Sequence, residues 1–359
     1  MTKRRLLFYT HGLVGGGGER VWALVASGLS KRGHDVAFAV DFIAQENEHL
    51  IAPEIRRFVL GASHGTAVRE LSKVLQVAQA EVAFSAIGAS NLKLLAAMAL
   101  GGWRGAAVVS AHGRYDAEPR FLGRVNYAAT PVTSRLASRT IAVSDDLRRY
   151  LIERFHARAD RVETIHNGIA LPPREAVPSA PGLAARANVV LGVGRLVPEK
   201  GFAALIEAVA RAKTKPRLIL LGEGPERSSL EHLIAICGLS DRVELRGYVK
   251  DLASIYAQGK MLVLPSRSEA FGNVIVEALG YGLPVVATRS GGPPEVLGDG
   301  AHGRLVAVDD IDAMAAAIDG TLADPGDPAK HRARAEDFSL EHALDRFEAV
   351  IESVIAERG

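Results

Sequence analysis

Glu269 and Glu277 lie in the stretch EAFGNVIVEALGYGLPVVAT, residues 269–288, with seven residues between them. Enzymes that cleave glycosidic bonds use two carboxylates as acid and base or nucleophile, at separations of about 5–9.5 Å. If the whole segment were helical, eight rises of about 1.5 Å would place these two about 12 Å apart. The spacing therefore disfavours a hydrolytic pair. Two solvated glutamates, or two carboxylates that hold a ligand, are the remaining interpretations.

The residues around this pair indicate how it is positioned. An apolar strand, Met261–Leu264, precedes it, and Gly272 with the following asparagine is typical of a helix start. Glu269 is then expected in a loop and Glu277 on the helix. Backbone amides near Phe271–Val274 would point at an anion. Carboxylates that hold hydroxyls on either side of a helix-bound phosphate fit this arrangement better than an acid/base pair.

A second pattern, GRLVPEKGF at residues 194–202, follows a predicted strand. It places Arg195 and Lys200 at the carboxyl end of that strand, where ligands of doubly wound folds bind. Two cations there suit a diphosphate, since arginine can grip two oxygens at once. The alternative is two solvated cations on a loop.

A glycine-rich loop, HGLVGGGGERV, follows the first strand and opens a helix. The dinucleotide pattern GxGxxG fails because Arg20 and Val21 stand where its third glycine is required, and this disfavours a dehydrogenase. The chain also lacks GxxxxGK[ST], the phosphate loop of many phosphotransferases. Consecutive glycines still let backbone N–H groups approach an anion at a helix N-terminus. The alternative is a flexible connector.

Short apolar runs alternate with amphipathic stretches along the chain, and this order predicts parallel sheets wound on both faces. The predicted strands are Leu6–Tyr9, Val36–Val40, Val82–Phe84, Ala107–Ser110, Thr140–Val143, Arg161–Ile165, Asn188–Val193, Arg217–Leu221, Val243–Arg246, Met261–Leu264, Pro284–Thr288 and Gly303–Val306. The predicted helices are Glu19–Lys31, Val68–Gln79, Glu199–Ala212, Glu226–Ile236, Asn273–Gly280 and Leu340–Glu357.

A proline-rich segment, residues 169–188, separates the two halves and has four prolines in its first thirteen positions. Proline disfavours a helix there, so we expect a domain boundary. The length of 359 residues also favours two domains. Two doubly wound domains joined in this way would face each other across a cleft that binds ligand at the strands' carboxyl ends.

Charge divides unevenly between the halves. Residues 1–187 carry a net charge of +8 and residues 188–359 a net charge of −6, and residues 103–161 hold eleven arginines and no lysine. A basic half indicates an anionic partner, whereas scattered solvated arginines are the alternative. The lone Cys237 excludes an intrachain disulfide and a cysteine-rich metal site. Without an apolar run of about 20 residues, we expect a cytoplasmic protein.

Several motifs together resemble the retaining glycosyltransferases of family 4, which have the GT-B architecture. GGGGERV and SKRGHDV match the N-terminal domain of that family, and GRLVPEKGF matches its phosphate-binding loop. LGEGPERSSL, GYVKDL, SRSEAFGNVIVEALGYGLPVVAT and GGPPEVLGDGAHGRLV match further blocks in the same order. The two glutamates seven residues apart are the most specific element. Ala270 stands where the family commonly has glycine, and HNGIA replaces the frequent PNGID.

The resemblance implies a GT-B fold of two Rossmann-like domains. Residues 1–170 would bind the acceptor, residues 171–339 would bind the nucleotide sugar, and a C-terminal helix, residues 340–359, would cross back to the first domain. It also implies catalytic roles for a set of residues: Arg195, Lys200, Glu269 and His112. The first two would bind the diphosphate, Glu269 would contact the donor sugar, and His112 matches a position close to that sugar.

The resemblance further implies a donor-binding set. Glu277 would hold the ribose hydroxyls and Glu223 would border the nucleobase. The other members are Gly16 and Gly17 near the diphosphate, Tyr248 and Val249 near the base, and Phe271, Gly272, Asn273 and Val274, which supply backbone contacts.

The implied activity is metal-independent transfer of a hexosyl or N-acetylhexosaminyl group, with retention and without a cofactor. A UDP-sugar is the favoured donor and GDP-mannose the second choice. The implied acceptor is a saccharide or lipid-linked saccharide of bacterial surface polysaccharide, lipopolysaccharide or glycan synthesis. The arginine-rich domain would contact the inner face of an anionic membrane, and nucleic acid is not an expected partner. A nucleotide-sugar 2-epimerase of the same fold, or a non-catalytic sugar-nucleotide-binding protein, are the alternatives.

Overall fold

A computed structural model of the chain describes residues 2–44, 46–61, 63–115, 121–249 and 251–358, without the side chain of Leu122. Arg120 of the arginine-rich stretch and Lys250 of the GYVKDL motif lie outside the described residues. The chain divides into two compact units. Unit 1 comprises residues 1–170 and 339–359, and unit 2 comprises residues 171–338.

Unit 1 contains a seven-stranded parallel sheet. Its strands are β1 Arg5–Thr10, β2 Asp35–Val40, β3 Arg56–Val59, β4 Val82–Ala86, β5 Ala106–Ala111, β6 Arg139–Ala142 and β7 Val162–Thr164. Their order across the sheet is β3-β2-β1-β4-β5-β6-β7. The order reverses between β1 and β4, and in open α/β sheets ligands bind beyond the carboxyl ends of the strands at such a switch point.

The helices of unit 1 connect these strands. They are α1 Gly17–Lys31, α2 His64–Val77, α3 Ala89–Gly101, α4 Phe121–Ala128, α5 Thr130–Leu136 and α6 Asp145–Phe155, followed at the end of the chain by a helix described below. Aromatic rings of Phe8, Phe38 and Phe84 stack on one face of the sheet, and Trp22 of α1 meets Phe8 edge-on.

Unit 2 contains a six-stranded parallel sheet. Its strands are β8 Val189–Val193, β9 Arg217–Leu221, β10 Val243–Gly247, β11 Met261–Leu264, β12 Val285–Thr288 and β13 Arg304–Val306. Its helices are α7 Ala180–Ala184, α8 Phe202–Arg211, α9 Arg227–Ile236, α10 Leu252–Gln258, α11 Asn273–Gly280, α12 Pro293–Val296, α13 Ile311–Ala323 and α14 Pro328–Glu336. The order β10-β9-β8-β11-β12-β13 reverses between β8 and β11, which is the switch point of this sheet.

The last helix, α15 Leu340–Ala356, belongs to unit 1 and packs against α1. A Cβ on Gly28 of α1 would lie 2.6 Å from a methyl carbon of Leu344, so the two helices approach closely. Arg32 forms ion pairs with three carboxylates of α15, including that of the buried Glu348. The predicted C-terminal helix and its return to the first domain are therefore confirmed.

All twelve predicted strands are present within two residues of their predicted bounds. The edge strand β3 was not predicted, because most of its residues are exposed and its sequence RRFV has no apolar run. The predicted helix Glu199–Ala212 was wrong at its start. Residues Pro198–Lys200 form a short 3-10 turn, and α8 begins only after Gly201, whose φ of 67° lies in the left-handed region.

The proline-rich segment contains a 3-10 turn, Arg174–Ala176, and one short α-helix, α7, which the sequence did not predict. Pro181 lies in its first turn, where its missing N–H and fixed φ are tolerated. The expectation of no helix there was wrong for these five residues. Among the described residues, no helix has the length and hydropathy that a membrane span requires.

Candidate active site

The switch point of unit 2 brings together two residues far apart in sequence. Lys200 follows β8 and Glu269 follows β11, and Lys200 Nζ lies 2.6 Å from Glu269 Oε2. Both side chains are mostly buried, and the hydroxyl of Ser266 also donates to Glu269 Oε2 at 3.3 Å. A cation and a carboxylate are thus held side by side at the edge where this fold binds ligands.

Glycine makes this approach possible on the lysine side. A Cβ on Gly201 would lie 2.2 Å from the carbonyl oxygen of Pro265, the residue after β11. Only a residue without a side chain lets the Lys200 loop lie against that backbone. The glycine that directly follows Lys200 in GRLVPEKGF is therefore explained by a steric requirement, and the lysine by its charge.

The backbone of Glu269 is fixed by the turn after β12. Its N–H donates to the carbonyl of Ser290 at 2.9 Å, and its carbonyl accepts from the N–H of Gly292 at 2.9 Å. A Cβ on Gly292 would lie 2.4 Å from the carbonyl oxygen of Ala270. The start of the GGPP motif, residues 291–294, therefore hydrogen-bonds to the backbone of the Glu269 loop and packs against it. The sequence did not predict this role.

Helix α11 begins directly after this loop, as the sequence predicted. Gly272 is its N-cap with a φ of 98°, and no side chain caps the helix there. Phe271 is buried and packs edge-on against Phe338, so its side chain is structural. Asn273 and Val274 form the first turn of the helix and are half-buried.

Glu277 is oriented by a residue that sequence reasoning missed. The hydroxyl of Tyr256, on α10, donates to Glu277 Oε2 at 2.9 Å. Tyr256 is buried and stacks on Tyr281 with ring centroids 5.0 Å apart. A tyrosine on another helix carries no sequence signal of this contact.

Arg195 lies in the Lys200 loop, but its guanidinium does not join the Lys200–Glu269 pair. It lies 3.6 Å from Glu199, and about two thirds of its side chain is exposed. The loop itself is well fixed, because Leu196 is buried and its N–H donates to the carbonyl of Glu223 at 2.9 Å.

Glu223, Tyr248 and Val249 all follow strands of the same sheet at its carboxyl edge. The carboxylate of Glu223 accepts from Arg227 at 3.0 Å, and Tyr248 is more than half exposed. Val249 is half-buried. These residues flank the Lys200 loop on the β9 and β10 side.

In unit 1 the glycine-rich loop is hydrogen-bonded to the segment that follows β2. Gly16 is the N-cap of α1, and the side chain of Asn47 donates to the carbonyl of Val14 at 2.9 Å. A Cβ on Gly16 would lie 2.1 Å from Glu19 Oε2, so the Glu19 carboxylate folds back over Gly16 and the start of the helix at Gly17. The Glu19 carboxylate would therefore lie next to any anion bound at this helix N-terminus and would repel it.

His112 follows β5, and its ring hydrogen-bonding pattern is defined by its neighbours. Its Nε2 lies 2.9 Å from the hydroxyl of Ser110, which itself donates to the carbonyl of Ser85. Nε2 is therefore the protonated nitrogen, and Nδ1 carries a lone pair. Nδ1 is buried and has no partner among the described residues. Burial lowers the pKa of His112 to about 4, so the ring is neutral near neutrality.

Comparison with known proteins matches both units. The family model "Glycosyltransferase Family 4" matches residues 15–171, and the model "Glycosyl transferases group 1" matches residues 173–338. The chain belongs to glycosyltransferase family 4. Its parallel sheets and helices have the GT-B fold of two Rossmann-like domains, as the sequence predicted.

Curated relatives of this glycosyltransferase family member include two functional groups. The chain is 43% identical over 140 residues to the lipopolysaccharide core biosynthesis glycosyltransferase LpsE of Rhizobium meliloti, covering 39% of this chain and 41% of LpsE. It is 36% identical over 199 residues to the D-inositol 3-phosphate glycosyltransferase of Mycobacterium marinum, covering 52% of this chain and 42% of that enzyme. The chain spans about half the length of the curated relatives it matches.

Solved structures share the fold at lower identity. Anabaena HepE in complex with UDP and glucose superimposes with a TM-score of 0.82 at 23% identity, covering 98% of this chain and all of HepE. The lipopolysaccharide outer core galactosyltransferase WaaB superimposes with a TM-score of 0.76 at 19% identity, covering 97% and 99% of the two chains.

Proposed function

We propose that this protein transfers a sugar from a nucleotide sugar to a saccharide or lipid-linked saccharide acceptor in the synthesis of a bacterial surface glycan. The observation that carries the proposal is the Lys200–Glu269 pair at the switch point of unit 2, directly before the N-terminus of α11. A cation and the backbone amides at a helix N-terminus can bind a diphosphate, and a neighbouring carboxylate can accept hydrogen bonds from sugar hydroxyls.

The donor we favour is a UDP-sugar, with GDP-mannose as second choice. HepE has been crystallised with UDP and with UDP-glucose, which makes a uridine nucleotide the first to test. Glu277 would hold the ribose hydroxyls, with Tyr256 fixing its carboxylate. Glu223, Tyr248 and Val249 would border the base from the neighbouring strand ends.

The mechanism follows from where charge develops. As the glycosidic bond to the nucleotide breaks, negative charge gathers on the leaving diphosphate, and preorganised donors help most at that point. Lys200, Arg195 and the α11 amides would stabilise it. The family resemblance also places Gly16 and Gly17 near the diphosphate and His112 close to the donor sugar. We infer that the Nδ1 lone pair of His112 would accept a hydrogen bond from a hydroxyl of that sugar. We infer hexosyl- or N-acetylhexosaminyl transfer with retention, in which the acceptor attacks on the leaving-group face and the leaving phosphate takes its proton.

We expect this transfer to require no metal, because two side-chain cations and the helix amides are available for the diphosphate. A chelator should therefore leave the rate of transfer unchanged. Loss of activity in a chelator, with recovery on adding a divalent cation, would contradict this part of the proposal.

The acceptor class is inferred from the relatives and from charge. LpsE is a lipopolysaccharide core biosynthesis glycosyltransferase. The arginine-rich stretch of this chain, residues 103–161, lies in unit 1. Some of these arginines are engaged internally: Arg139 is buried and pairs with Glu163 and Glu357, and Arg158 pairs with Asp160. An anionic acceptor would therefore meet exposed arginines of this stretch, such as Arg104, Arg149 and Arg154.

We also propose that unit 1 touches an anionic membrane surface through α4 and α5. Phe121, Val132 and Leu136 are more than half exposed on these helices, beside the exposed Arg124 and Arg135. Apolar side chains flanked by arginines are typical of interfacial helices. Co-sedimentation with phosphatidylglycerol vesicles at low salt tests this, and binding equal to that with neutral vesicles would contradict it.

The decisive experiment is a thermal-shift screen against UDP, GDP and their sugars, followed by a transfer assay with the stabilising donor. Stabilisation by UDP or a UDP-sugar with sugar transfer supports the proposal. Conversion of the donor to another sugar nucleotide without any acceptor would indicate the 2-epimerase instead. Binding without turnover under any acceptor condition would indicate a non-catalytic binding protein.

A further inference from the structure

Four ionisable side chains meet near the switch point of unit 1, apart from the residues assigned above. Asp41, the residue after β2, is fully buried and accepts a hydrogen bond from Tyr9 at 2.8 Å. Its second oxygen lies 2.5 Å from His11 Nδ1 and also pairs with Lys93 Nζ of α3. Lys93 is itself buried.

The charges of this cluster define the tautomer of His11. Burial raises the pKa of Asp41, but hydrogen bonds from His11, Lys93 and Tyr9 outweigh it and hold the pKa below its usual value. Asp41 is therefore ionised and can only accept hydrogen bonds. Nδ1 of His11 must carry a proton toward it, and Lys93 already balances the carboxylate charge. In this Nδ1–H tautomer, the lone pair of the ring is on Nε2.

The outer side of the His11 ring is accessible. About 41% of its side chain is exposed, and no contact of Nε2 is found among the described residues. The ring edge of Phe42 packs against it at 5.0 Å between centroids, and the exposed His64 lies 6.1 Å away. One nitrogen is thus buried in an ion pair while the other faces outward.

Hydrogen bonds and close packing hold the backbone around His11. The N–H of Asp41 donates to the carbonyl of His11 at 3.0 Å, and the N–H of Asn47 donates to the carbonyl of Leu13. A Cβ on Gly12 would lie 2.8 Å from the Phe42 ring, so the chain after His11 lies tightly against that ring. His11 is the first residue after β1, at the carboxyl end of a switch-point strand, where this architecture binds ligands.

We propose that His11 binds the acceptor, with Nε2 accepting a hydrogen bond from a hydroxyl of the saccharide. Asp41 is a positioning residue that fixes the tautomer, and Lys93 and Tyr9 hold Asp41 in place. This inference rests on the proposed function, which assigns unit 1 to the acceptor. A nitrogen lone pair selects a hydroxyl, which can donate to it, rather than an ionised phosphate oxygen, which would present a second lone pair to it.

The first test separates binding from turnover. With core oligosaccharides released from lipopolysaccharide by mild acid as acceptor, His11→Ala should raise the acceptor KM about 10-fold, the loss of roughly one hydrogen bond, with kcat changed by less than about threefold. The double variant Asp41→Asn with Lys93→Met removes both buried charges together and should raise the KM similarly. His49→Ala, an exposed histidine of the same unit, is the control and should match the wild type.

Two activity outcomes are distinguishable. A wild-type protein that transfers sugar while His11→Ala keeps the wild-type acceptor KM overturns the inference alone. A wild-type protein that turns over no sugar nucleotide overturns the proposed function, and with it the acceptor role of His11.

The second test needs no substrate. Long-range proton–nitrogen spectra of the protein with 15N-labelled histidine should assign His11 as the Nδ1–H tautomer near neutral pH. The Asp41→Asn, Lys93→Met variant should shift it toward Nε2–H, the form that free imidazole side chains prefer. An Nε2–H tautomer in the wild type would leave no lone pair for the acceptor hydroxyl and would overturn the inference.

Discussion

Individual side chains at the proposed donor site differ in how strongly the structure constrains them. Lys200 is held against Glu269, whereas Arg195 is mostly exposed and pairs with its own loop. The carboxylate of Glu277 accepts a hydrogen bond from the hydroxyl of Tyr256. His112 presents a buried lone pair without a described partner. Three of these environments, those of Lys200, Glu277 and His112, lead to testable predictions.

Replacing Lys200 with alanine removes the buried cation beside the expected diphosphate. We expect turnover to fall about 10²-fold or more, on the scale of losing one charge-stabilising donor. The measurement is kcat at saturating donor, and Lys330→Ala, an exposed lysine of the same unit, serves as control. A Lys200→Ala protein with nearly wild-type kcat would refute the catalytic role.

Replacing Tyr256 with phenylalanine removes only the hydroxyl that holds Glu277. We expect nucleotide affinity to weaken about 5- to 10-fold, because an ordinary hydrogen bond contributes roughly 1 kcal/mol. Calorimetric titration with UDP measures this. An unchanged dissociation constant would show that Glu277 needs no support from Tyr256.

The low pKa of His112 makes folding sensitive to acid. The folded state binds the imidazole proton less tightly than the unfolded state, so stability is complete above the ordinary histidine pKa and is lost as pH falls toward about 4. From about pH 7 to about pH 5, this group should cost about 2 kcal/mol of unfolding free energy.

The matched variant for this prediction is His112→Asn, whose amide oxygen can replace Nδ1 as an acceptor but does not titrate. Urea unfolding at the two pH values should show the wild type losing more stability than the variant. Equal losses would mean that His112 is not buried as a neutral ring.

At the scale of elements, glycines decide how closely the loops at the strand ends approach. The Gly201 turn and the Gly292 turn place the Lys200 and Glu269 loops against each other and against the β12 end. The two loops come from strands that are neighbours in the sheet but distant in sequence. The two loops therefore touch because their strands are neighbours in the sheet and because glycines let their backbones approach closely.

Gly201→Ala and Gly238→Ala form a matched pair that separates these effects. Both residues have a φ near 65°, but a Cβ meets the Pro265 carbonyl at position 201 and open space at position 238. We expect Gly238→Ala to cost about 1 kcal/mol and Gly201→Ala at least about 2–3 kcal/mol, with loss of transfer activity. Equal costs in denaturant unfolding would show that the close approach is not required.

At the scale of the whole molecule, unit 1 is completed by the far end of the chain. Phe347 of α15 packs against Trp22 and Phe84, and Arg32 pairs with three carboxylates of the same helix. The end of the chain therefore contributes buried side chains to the unit that begins it.

Phe347→Ala should destabilise unit 1 by about 3–5 kcal/mol, the usual cost of deleting a buried aromatic side chain. The near-ultraviolet signal of the two tryptophans, Trp22 and Trp103, reports on this unit during denaturant unfolding, because both lie in it. His342→Ala, on the exposed side of the same helix, is the control and should unfold like the wild type. A Phe347→Ala midpoint equal to that of His342→Ala would contradict the role of α15 in the core.

The sequence by itself determined the strand–helix order, the position of the domain boundary and the family motifs. Parallel strands covered on both faces are continuous apolar runs, and these runs identified twelve strands. The start of the helix after Glu269 was also predicted from the sequence, because Gly272 and Asn273 are typical of a helix start. Edge strand β3 was not, since an exposed strand carries no apolar run.

Only the tertiary structure decided which side chains meet. Lys200 and Glu269 are 69 residues apart, Tyr256 and Glu277 are 21 apart, and Asp41 and Lys93 are 52 apart. Hydrophobic periodicity predicts which residues are buried, but it does not specify the order of strands in a sheet. That order places the loops after β8 and β11, and those after β1 and β2, beside each other, and glycines without side chains let them touch.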